Sequence, residues 1–471
     1  MPVIPHSVNL FQDCKQFFQF LSICQQKSIE QNETQIASIS LKVDRVDPLA
    51  VLHEIATPDQ LHFYIENPAE DEAIAAIGAV SSLKTSGKTR FFQAQNFTES
   101  CFNHLVSATS SNYLLPRCFC SFSFFDQGAT SEATFSEATI FLPKWQVSSK
   151  ADQSTVILNL AIHANSNLEL LIEQVCREFQ NICLAKYGIF NLSSNIQYKL
   201  NHWNVNDTNN FKVAVASALK SIQIHHLNKL VLAHAVDIVS KFPFQWIDSL
   251  HHLRKIYPDC YTFSTGNGKG QNFIGASPEC LIRICDRQLN TEALAGSAPR
   301  GKTVTADADL ANRLLNSSKE RHEHQVVVDF IAQQLSRFGL NPQIPAVPKL
   351  RQLTNIQHLH TPIQATLPKY LHPLKILAQL HPTPAVAGMP RDFACEEIRR
   401  YEKFERSLYA APLGWIDAQG NAEFIVGIRS ALIDGHHARL YAGAGIVAGS
   451  NPNRELAEVK LKLQTLLQAL V

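Results

Sequence analysis

Two pairs of glutamates have a spacing that suggests chemistry. Glu320 and Glu323 lie three residues apart in one segment with helical periodicity, and Glu455 and Glu458 do so in another. Each pair borders the apolar stripe of its helix, where charges at this spacing usually form a solvated flank. If the two helices face each other across a cleft, four carboxylates converge, and hard oxygen ligands of that number suit Mg2+.

The glycines before the last predicted helix are a second feature. Gly443, Gly445 and Gly449 follow the pattern GxGxxxG, and no Lys-Ser/Thr pair follows them, so neither a dinucleotide fingerprint nor a P-loop is predicted. Backbone amides of such a turn, beside a helix N-terminus, suit a carboxylate ligand. Arg429, which the pattern places on a strand, could bind a carboxylate through two N–H groups or form a structural salt bridge.

The elements that must position these residues are a mixture of strands and helices. Alternation and short apolar runs predict strands at 35–43, 61–65, 154–161, 229–237, 261–264, 272–275 and 291–301, and a pair of strands at 423–429 and 438–442. Helical spacing predicts helices at 167–185, 211–226, 307–316, 319–337 and from 452 onward. Because no regular βαβ rhythm appears, we expect an α+β fold with large, mostly antiparallel β-sheets packed with helices.

Composition excludes several classes of function. The chain has 471 residues, 45% of them hydrophobic, and a net charge of +1, which gives no reason to expect a nucleic acid or membrane partner. No apolar run reaches the ~18 residues of a membrane span, and the N-terminus lacks a basic, apolar leader, so a cytoplasmic protein is expected. The eleven cysteines include no CxxC and no G-x-C-x-G, so zinc, disulfide-framework and glutaminase signatures are absent from the sequence.

Eight motifs, in order, resemble those of the chorismate-utilising enzymes and most closely of the isochorismate synthases. The resemblance covers about residues 211–470, and the motifs read KLVLAHAVDI, GASPECLIR, EALAGSAPRG, SKERHEHQVVVDF, QHLHTPI, LHPTPAVAGMPR, FIVGIRSA and YAGAGIVAGSNPNRELAEVKLK. The resemblance implies a fold like that of anthranilate synthase component I. It also implies a chorismate-binding catalytic region at 206–471 and a variable half of the same fold, without a matching motif, at 1–205.

The resemblance also implies a role for individual residues. Lys229 would be the general base that activates water, and Glu279 the general acid; from the residues alone they could equally be a strand-end surface lysine and a turn carboxylate. The implied metal is Mg2+, with Glu323 and Glu458 as direct ligands and Glu320 and Glu455 holding metal-bound waters. The implied substrate contacts are the carboxylate-binding Tyr409, Arg429, Gly443 and Lys462 and the ring-pocket residues Gly296 and His358.

The implied reaction is attack of water at C2 of chorismate with loss of the C4 hydroxyl, which gives isochorismate. Two positions separate the branches of the family. Ala295 stands where aminodeoxychorismate synthases carry a nucleophilic lysine, and Lys229 stands where ammonia-using members typically carry glutamine. Water is therefore the expected nucleophile, and no glutaminase subunit is expected as a partner.

Two alternatives stay open at the level of sequence. A salicylate synthase would keep the same acid and base and go on to expel pyruvate, although the segment HPTPAVAG at 381–388 is more similar to isochorismate synthases. A catalytically silent chorismate-binding subunit would have lost the base, the acid or a metal carboxylate. We expect a monomer. Isochorismate serves menaquinone or phylloquinone synthesis, siderophores and salicylate, and the long N-terminal half favours a quinone role.

Overall fold

The structure is a computed structural model that describes residues 13–108, 114–126, 133–185, 203–206, 210–224 and 227–471. The helices are α1 Cys14–Gln31, α2 Pro48–Ile55, α3 Arg90–Asn103, α4 Leu168–Leu184, α5 Phe211–Ile224, α6 Trp246–Ile256, α7 Val304–Asn316, α8 Ser318–Ser336, α9 Pro373–Leu380, α10 Arg391–Tyr401 and α11 Pro452–Ala469. The strands are β1 Gln35–Asp44, β2 Leu61–Asn67, β3 Glu72–Thr85, β4 Leu105–Ser107, β5 Arg117–Phe122, β6 Ala138–Lys150, β7 Gln153–Ile162, β8 Trp203–Asn206, β9 Lys229–Ser240, β10 Tyr261–Asn267, β11 Asn272–Ser277, β12 Cys280–Cys285, β13 Gln288–Pro299, β14 Lys349–Gln352, β15 Ile356–Thr366, β16 Gly388–Met389, β17 Pro412–Asp417, β18 Ala422–Val426, β19 Ser430–Asp434 and β20 His437–Ile446.

The strands form one hydrogen-bonded network with two arms that both start at β6. The first arm runs through β3, β2, β10, β11, β19 and β20 to β9. The second arm runs through β5, β17, β18, β12, β13 and β15 to β14. These pairings are all antiparallel. The strand β7 pairs with both β6 and β1, and β1 forms a parallel pair with β4. The predicted α+β fold with large, mostly antiparallel sheets is confirmed.

Strands from the two halves of the chain interlock within both arms. In the first arm β2 pairs with β10, so that Phe63 lies opposite Thr265. In the second arm β5 pairs with β17, so that Phe119 lies opposite Trp415. Residues before 206 therefore complete the sheet that carries the later motifs, while the boundary predicted near residue 205 stays a prediction.

The predicted pairing of 423–429 with 438–442 is wrong. The strand β18 ends at Val426 and pairs with β12 and β17 in the second arm, whereas β20 pairs with β19 and β9 in the first arm. The chain crosses from one arm to the other at residues 427–429. Arg429 lies in the bend with a φ of 48°, so it is not the strand residue that the alternation predicted. Such a left-handed backbone is costly for a residue with a side chain, and it commonly marks a functional site.

The two helices with paired glutamates pack on different arms. The helix α8 packs on β13, and its stripe of Val327, Val328 and Ile331 is buried. The helix α11 packs on β20, with Val459 and Leu463 buried. The apolar faces predicted from the sequence therefore fix which sides of the helices look toward the sheet. No helix in the part of the chain that the structure describes is long and apolar enough to cross a membrane.

The N-terminal caps of both helices form as expected, with one difference. The Asn451 side chain accepts hydrogen bonds from the first turn of α11, and Ser317 Oγ accepts one from the backbone of Glu320. In a full capping box the Glu320 carboxylate would turn back to the backbone of Ser317. It accepts a hydrogen bond from Ser297 N–H at 3.1 Å instead. The carboxylate is thus directed toward β13.

Candidate active site

A pocket lies where the two arms meet, and most of the predicted site residues line it. Its wall contains Glu279, Gly296, Glu323, His358, Tyr409, Arg429, Gly443, Glu458 and Lys462. The other predicted residues lie just behind this wall. Lys229 and Glu320 contact the lining residues Glu323 and Ser297, and Glu455 lies one helical turn before Glu458. The structure therefore brings all the predicted positions to one place, while their roles stay predictions.

Lys229 is the first residue of β9 and is only 1% exposed, so the reading of a strand-end surface lysine is wrong. Its Nζ lies 2.9 Å from Glu323 Oε1, so the pair joins β9 of the first arm to the helix α8. A buried ammonium needs such a partner, because an uncompensated charge in the interior is strongly destabilising. Gly445 on β20 leaves room for the pair, since a methyl group there would collide with the Glu323 carboxylate.

Glu279 lies in the turn between β11 and β12 and is 4% exposed. Burial, together with the nearby negative charge of Glu292, raises the pKa of Glu279 to about 8, against the opposing effects of Lys229 and Arg351. Its backbone N–H donates to Ser277 Oγ at 3.2 Å, which fixes the turn. A carboxyl group with this pKa is protonated near neutral pH and can donate a proton, as a general acid must.

Arg429, His358 and Ser297 form a hydrogen-bonded row along the pocket. Arg429 Nη2 donates to His358 Nε2 at 3.0 Å, so the imidazole proton is on Nδ1, which donates to Ser297 Oγ at 2.9 Å. Burial and the Arg429 charge hold the pKa of His358 well below its ordinary value. Arg429 is 5% exposed, and its Nη1 has no hydrogen-bond partner among the described residues. The geometry favours carboxylate binding by Arg429 over a structural salt bridge.

Tyr409, Gly443 and Lys462 complete the far side of the pocket. Lys462 Nζ donates to the Gly443 carbonyl at 2.8 Å. The Tyr409 ring stacks on Tyr441 with centroids 5.2 Å apart, which fixes its hydroxyl near the strand β20. A methyl group at Gly443 would lie 2.8 Å from Tyr409 Oη, so only glycine admits this approach.

Each of the four predicted metal carboxylates has a lysine partner. Lys229 is 2.9 Å from Glu323, Lys462 is 2.7 Å from Glu458, and Lys319 is 3.4 Å from Glu455 and 3.6 Å from Glu320. Burial and the charge of Glu323 raise the pKa of Glu320. Burial also raises the pKa of Glu455, as does the charge of Glu458, while Lys319 opposes the shift. The lysines therefore offset a repulsion among acids that lie close together.

The four glutamates are suitable donors for Mg2+, but their side chains are not arranged around a common point. Carboxylate oxygens from two facing helices are the ligands that Mg2+ prefers, and mutual repulsion of this kind is relieved by a divalent cation. Within the described ranges no three acidic, histidine or cysteine side chains converge tightly enough to hold a metal ion. Metal binding at this position would require the carboxylates to exchange their lysine partners for the ion.

Several residues of the site were not predicted from the sequence. Lys319 and Ser297 lie beside predicted positions within the quoted motifs. Glu292 is an acid on β13, and it binds His360 on the adjacent strand β15 and Arg351 on β14. An acid within a predicted strand was a signal that could have been followed, but the identity of its partners depends on strand register.

The chain belongs to the chorismate binding enzyme family, whose model matches residues 20–471. It is 33% identical over 451 residues to the salicylate biosynthesis isochorismate synthase of Pseudomonas aeruginosa, covering 92% of this chain and 90% of that protein. It resembles the solved structure of MenF, the menaquinone-specific isochorismate synthase of Escherichia coli, with a TM-score of 0.74 and 27% identity over 96% of this chain and 100% of that one. It also resembles anthranilate synthase component I of Streptococcus pneumoniae, with a TM-score of 0.68 and 19% identity over 84% of this chain and 92% of that one, which shows the fold alone.

These matches confirm the family predicted from the eight motifs, and they extend it. The resemblance predicted from the motifs begins near residue 211, whereas the family match begins at residue 20. The N-terminal half therefore belongs to the family as well, in agreement with the interlocked strands of both arms.

Proposed function

We propose that this protein is an isochorismate synthase that converts chorismate to isochorismate reversibly and depends on Mg2+. The observation that carries the proposal is Glu279, a buried carboxyl group with a pKa of about 8 in the wall of a pocket that Arg429 also lines. The pocket thus pairs a proton donor with an anion-binding guanidinium. The resemblance to isochorismate synthases over most of the chain supports the same activity.

In this proposal Lys229 and Glu279 divide the proton transfers. Lys229, once neutral and released from Glu323, accepts a proton from the water that attacks C2 of chorismate. Glu279 donates its proton to the C4 hydroxyl as that group leaves as water. Each positioned acid or base contributes roughly 10²- to 10⁴-fold to the rate. The reverse reaction uses the same two groups in the opposite protonation states.

The substrate carboxylates are assigned to the cationic side of the pocket. Arg429 offers the N–H of Nη1, which lacks a partner among the described side chains, and the neutral His358 holds the guanidinium in place through Nη2. Lys462 adds an ammonium at the rim, next to the Gly443 carbonyl. Glu323 and Glu458 would hold Mg2+ directly, with Glu320 and Glu455 on its bound waters, and the ion would supply positive charge for the ring carboxylate.

A salicylate synthase is the second candidate, because it uses the same acid and base before expelling pyruvate. The relative from Pseudomonas aeruginosa is an isochorismate synthase of salicylate biosynthesis. A silent chorismate-binding subunit is disfavoured, because Lys229, Glu279 and the four metal carboxylates are all present in the sequence and gathered at the pocket.

Product analysis separates these candidates. The purified protein is incubated with chorismate and Mg2+, and in parallel with excess EDTA, and the products are resolved by liquid chromatography. Isochorismate that forms only with Mg2+ and approaches an equilibrium mixture would support the proposal. Salicylate with an equal amount of pyruvate would identify the salicylate synthase instead, and no product from a protein that still binds chorismate would identify the silent subunit.

A further inference from the structure

Glu292 is a buried acid that the proposed reaction does not use. It lies on β13, its side chain is 11% exposed, and it is not part of the pocket wall. Its carboxylate is nevertheless directed at the turn that carries Glu279, because Glu292 Oε1 accepts a hydrogen bond from Cys280 N–H at 2.9 Å. The residue after the general acid is thus anchored by a side chain from the second arm.

Arg351 and His360 hold the Glu292 carboxylate on the side away from the turn. Arg351 Nη1 donates to both oxygens at 3.0 and 3.1 Å, and His360 Nε2 lies 2.7 Å from Oε2. Although burial raises the pKa of Glu292, the hydrogen bond from His360 and the charge of Arg351 bring it below its ordinary value. Glu292 is therefore an anion with a fixed orientation, held between β14, β15 and the turn.

We propose that Glu292 is a positioning residue that orients Glu279 through the Cys280 N–H and holds a negative charge in a fixed place beside the turn that carries Glu279. The inference rests on the proposed function of Glu279. It adds a residue that touches neither substrate nor metal.

The charged and titratable groups that act on Glu279 come from several elements. Glu292 disfavours its ionised form, whereas Lys229 on β9 and Arg351 on β14 favour that form. Tyr409 also interacts with it across the pocket. Glu292 and Arg351 therefore act on the same carboxyl group with opposite signs, although they bind each other.

The test compares the pH dependence of isochorismate formation by the wild type and Glu292→Gln. The glutamine can still accept the hydrogen bond from Cys280, so the turn is retained while the charge is lost. We expect the alkaline limb of the kcat/KM profile to move to lower pH, and kcat near pH 8 to fall roughly tenfold with KM nearly unchanged. Glu292→Asp, which keeps the charge, should restore the position of the limb.

Arg351→Gln removes a positive charge instead of a negative one, so it should move the alkaline limb to higher pH. Glu173→Gln is the control for the loss of one negative charge. Glu173 lies on α4, is 68% exposed and forms a surface ion pair, so its replacement should leave the pH profile unchanged. A Glu292→Gln limb at its wild-type position would overturn the inference. If Glu292→Gln does not fold, Arg351→Gln is used instead, and an alkaline limb at its wild-type position in that variant would overturn the inference. A wild type that makes no isochorismate would refute the proposed function itself, and this inference with it.

Discussion

Lys229 Nζ and Glu323 Oε1 lie 2.9 Å apart, which joins the predicted base directly to a predicted metal ligand. The lysine opens β9 in the first arm, and the glutamate lies on α8, which packs on the second arm. The pair therefore connects the two sides of the pocket. In the proposed mechanism Lys229 must leave Glu323 before it acts as the base, because a base has to be free of its proton before it can accept one.

Replacing Lys229 by Met removes the base and leaves the buried Glu323 without its partner. We expect kcat to fall by at least about 10²-fold. We also expect the free energy of unfolding to fall by about 3 kcal/mol, since breaking a buried pair leaves an uncompensated charge. Steady-state kinetics and urea denaturation would measure the two effects.

The double variant Lys229→Met, Glu323→Gln distinguishes these two effects. It should regain most of the lost stability, because neither charge remains, while its activity stays as low as that of the single variant. Activity near the wild-type rate in Lys229→Met would rule out the assignment of Lys229 as the base.

Replacing Glu279 by Gln removes the proton donor with little change in shape. We expect kcat to fall by roughly 10²- to 10⁴-fold, while chorismate still binds. In the wild type, kcat/KM should decline as the pH rises through about 8, where Glu279 loses its proton. Rate measurements across pH check both points, and a wild-type profile flat through this range would contradict the role of Glu279.

The same substitution should change stability in a pH-dependent way. The pKa of Glu279 is raised from 4.5 to about 8 in the folded protein, so the stability that its protonated form contributes is present below pH 4.5 and lost as the pH rises to about 8. Glutamine cannot ionise. We therefore expect the Tm of Glu279→Gln to exceed that of the wild type above about pH 8, with the difference shrinking toward pH 5. Thermal melts at both pH values would show it, and a difference that does not vary with pH would exclude a raised pKa.

Replacing Gly445 by Ala tests the space beside the Lys229–Glu323 pair. The added methyl group would collide with the Glu323 carboxylate and lie 3.2 Å from Lys229 Cε. The flexible carboxylate can move aside, so we expect the free energy of unfolding to change by less than about 1 kcal/mol. A displacement of this size in the site should still lower kcat by roughly 10²-fold. Wild-type kinetics in this variant would show that the position of the pair does not matter for turnover.

Arg406 is a fully buried side chain that supports the pocket from behind. It forms an ion pair with Glu402 at 2.6 Å and donates to the carbonyls of Val386 and Val231, both of which line the pocket, at 2.8 Å. Arg406→Met would leave Glu402 buried and unpaired, so we expect a loss of about 3 to 5 kcal/mol in the free energy of unfolding. Denaturation with urea measures the loss. A midpoint within error of the wild type would show that the pair is not needed for the fold.

Several of the strands and helices that carry the site could be predicted from the sequence, because hydrophobic periodicity is local, and the resemblance implied which residues belong to the site. The helix from 452 begins at Pro452 after the Asn451 cap, and β9 begins at Lys229, as the patterns indicate. The glutamate pairs at 320 and 323 and at 455 and 458 lie at one pocket, as their spacing suggested.

The strand pairing and the side-chain partners could not be predicted, because they depend on long-range register. Alternation predicted that 423–429 pairs with 438–442, but it could not show that the chain changes arms at Arg429. The lysine partners of the carboxylates and the hydrogen bond from Cys280 N–H to Glu292 likewise depend on which strands and helices become neighbours. Local patterns carry no information on such neighbours.

Isotope labelling tests directly whether solvent water attacks C2 of chorismate. The protein is incubated with chorismate and Mg2+ in water enriched in the heavy oxygen isotope, and the product is analysed by liquid chromatography with mass spectrometry. The account predicts isochorismate that carries one heavy oxygen in its new hydroxyl group, because solvent water attacks C2. Isochorismate without the label, or no isochorismate at all, would contradict it.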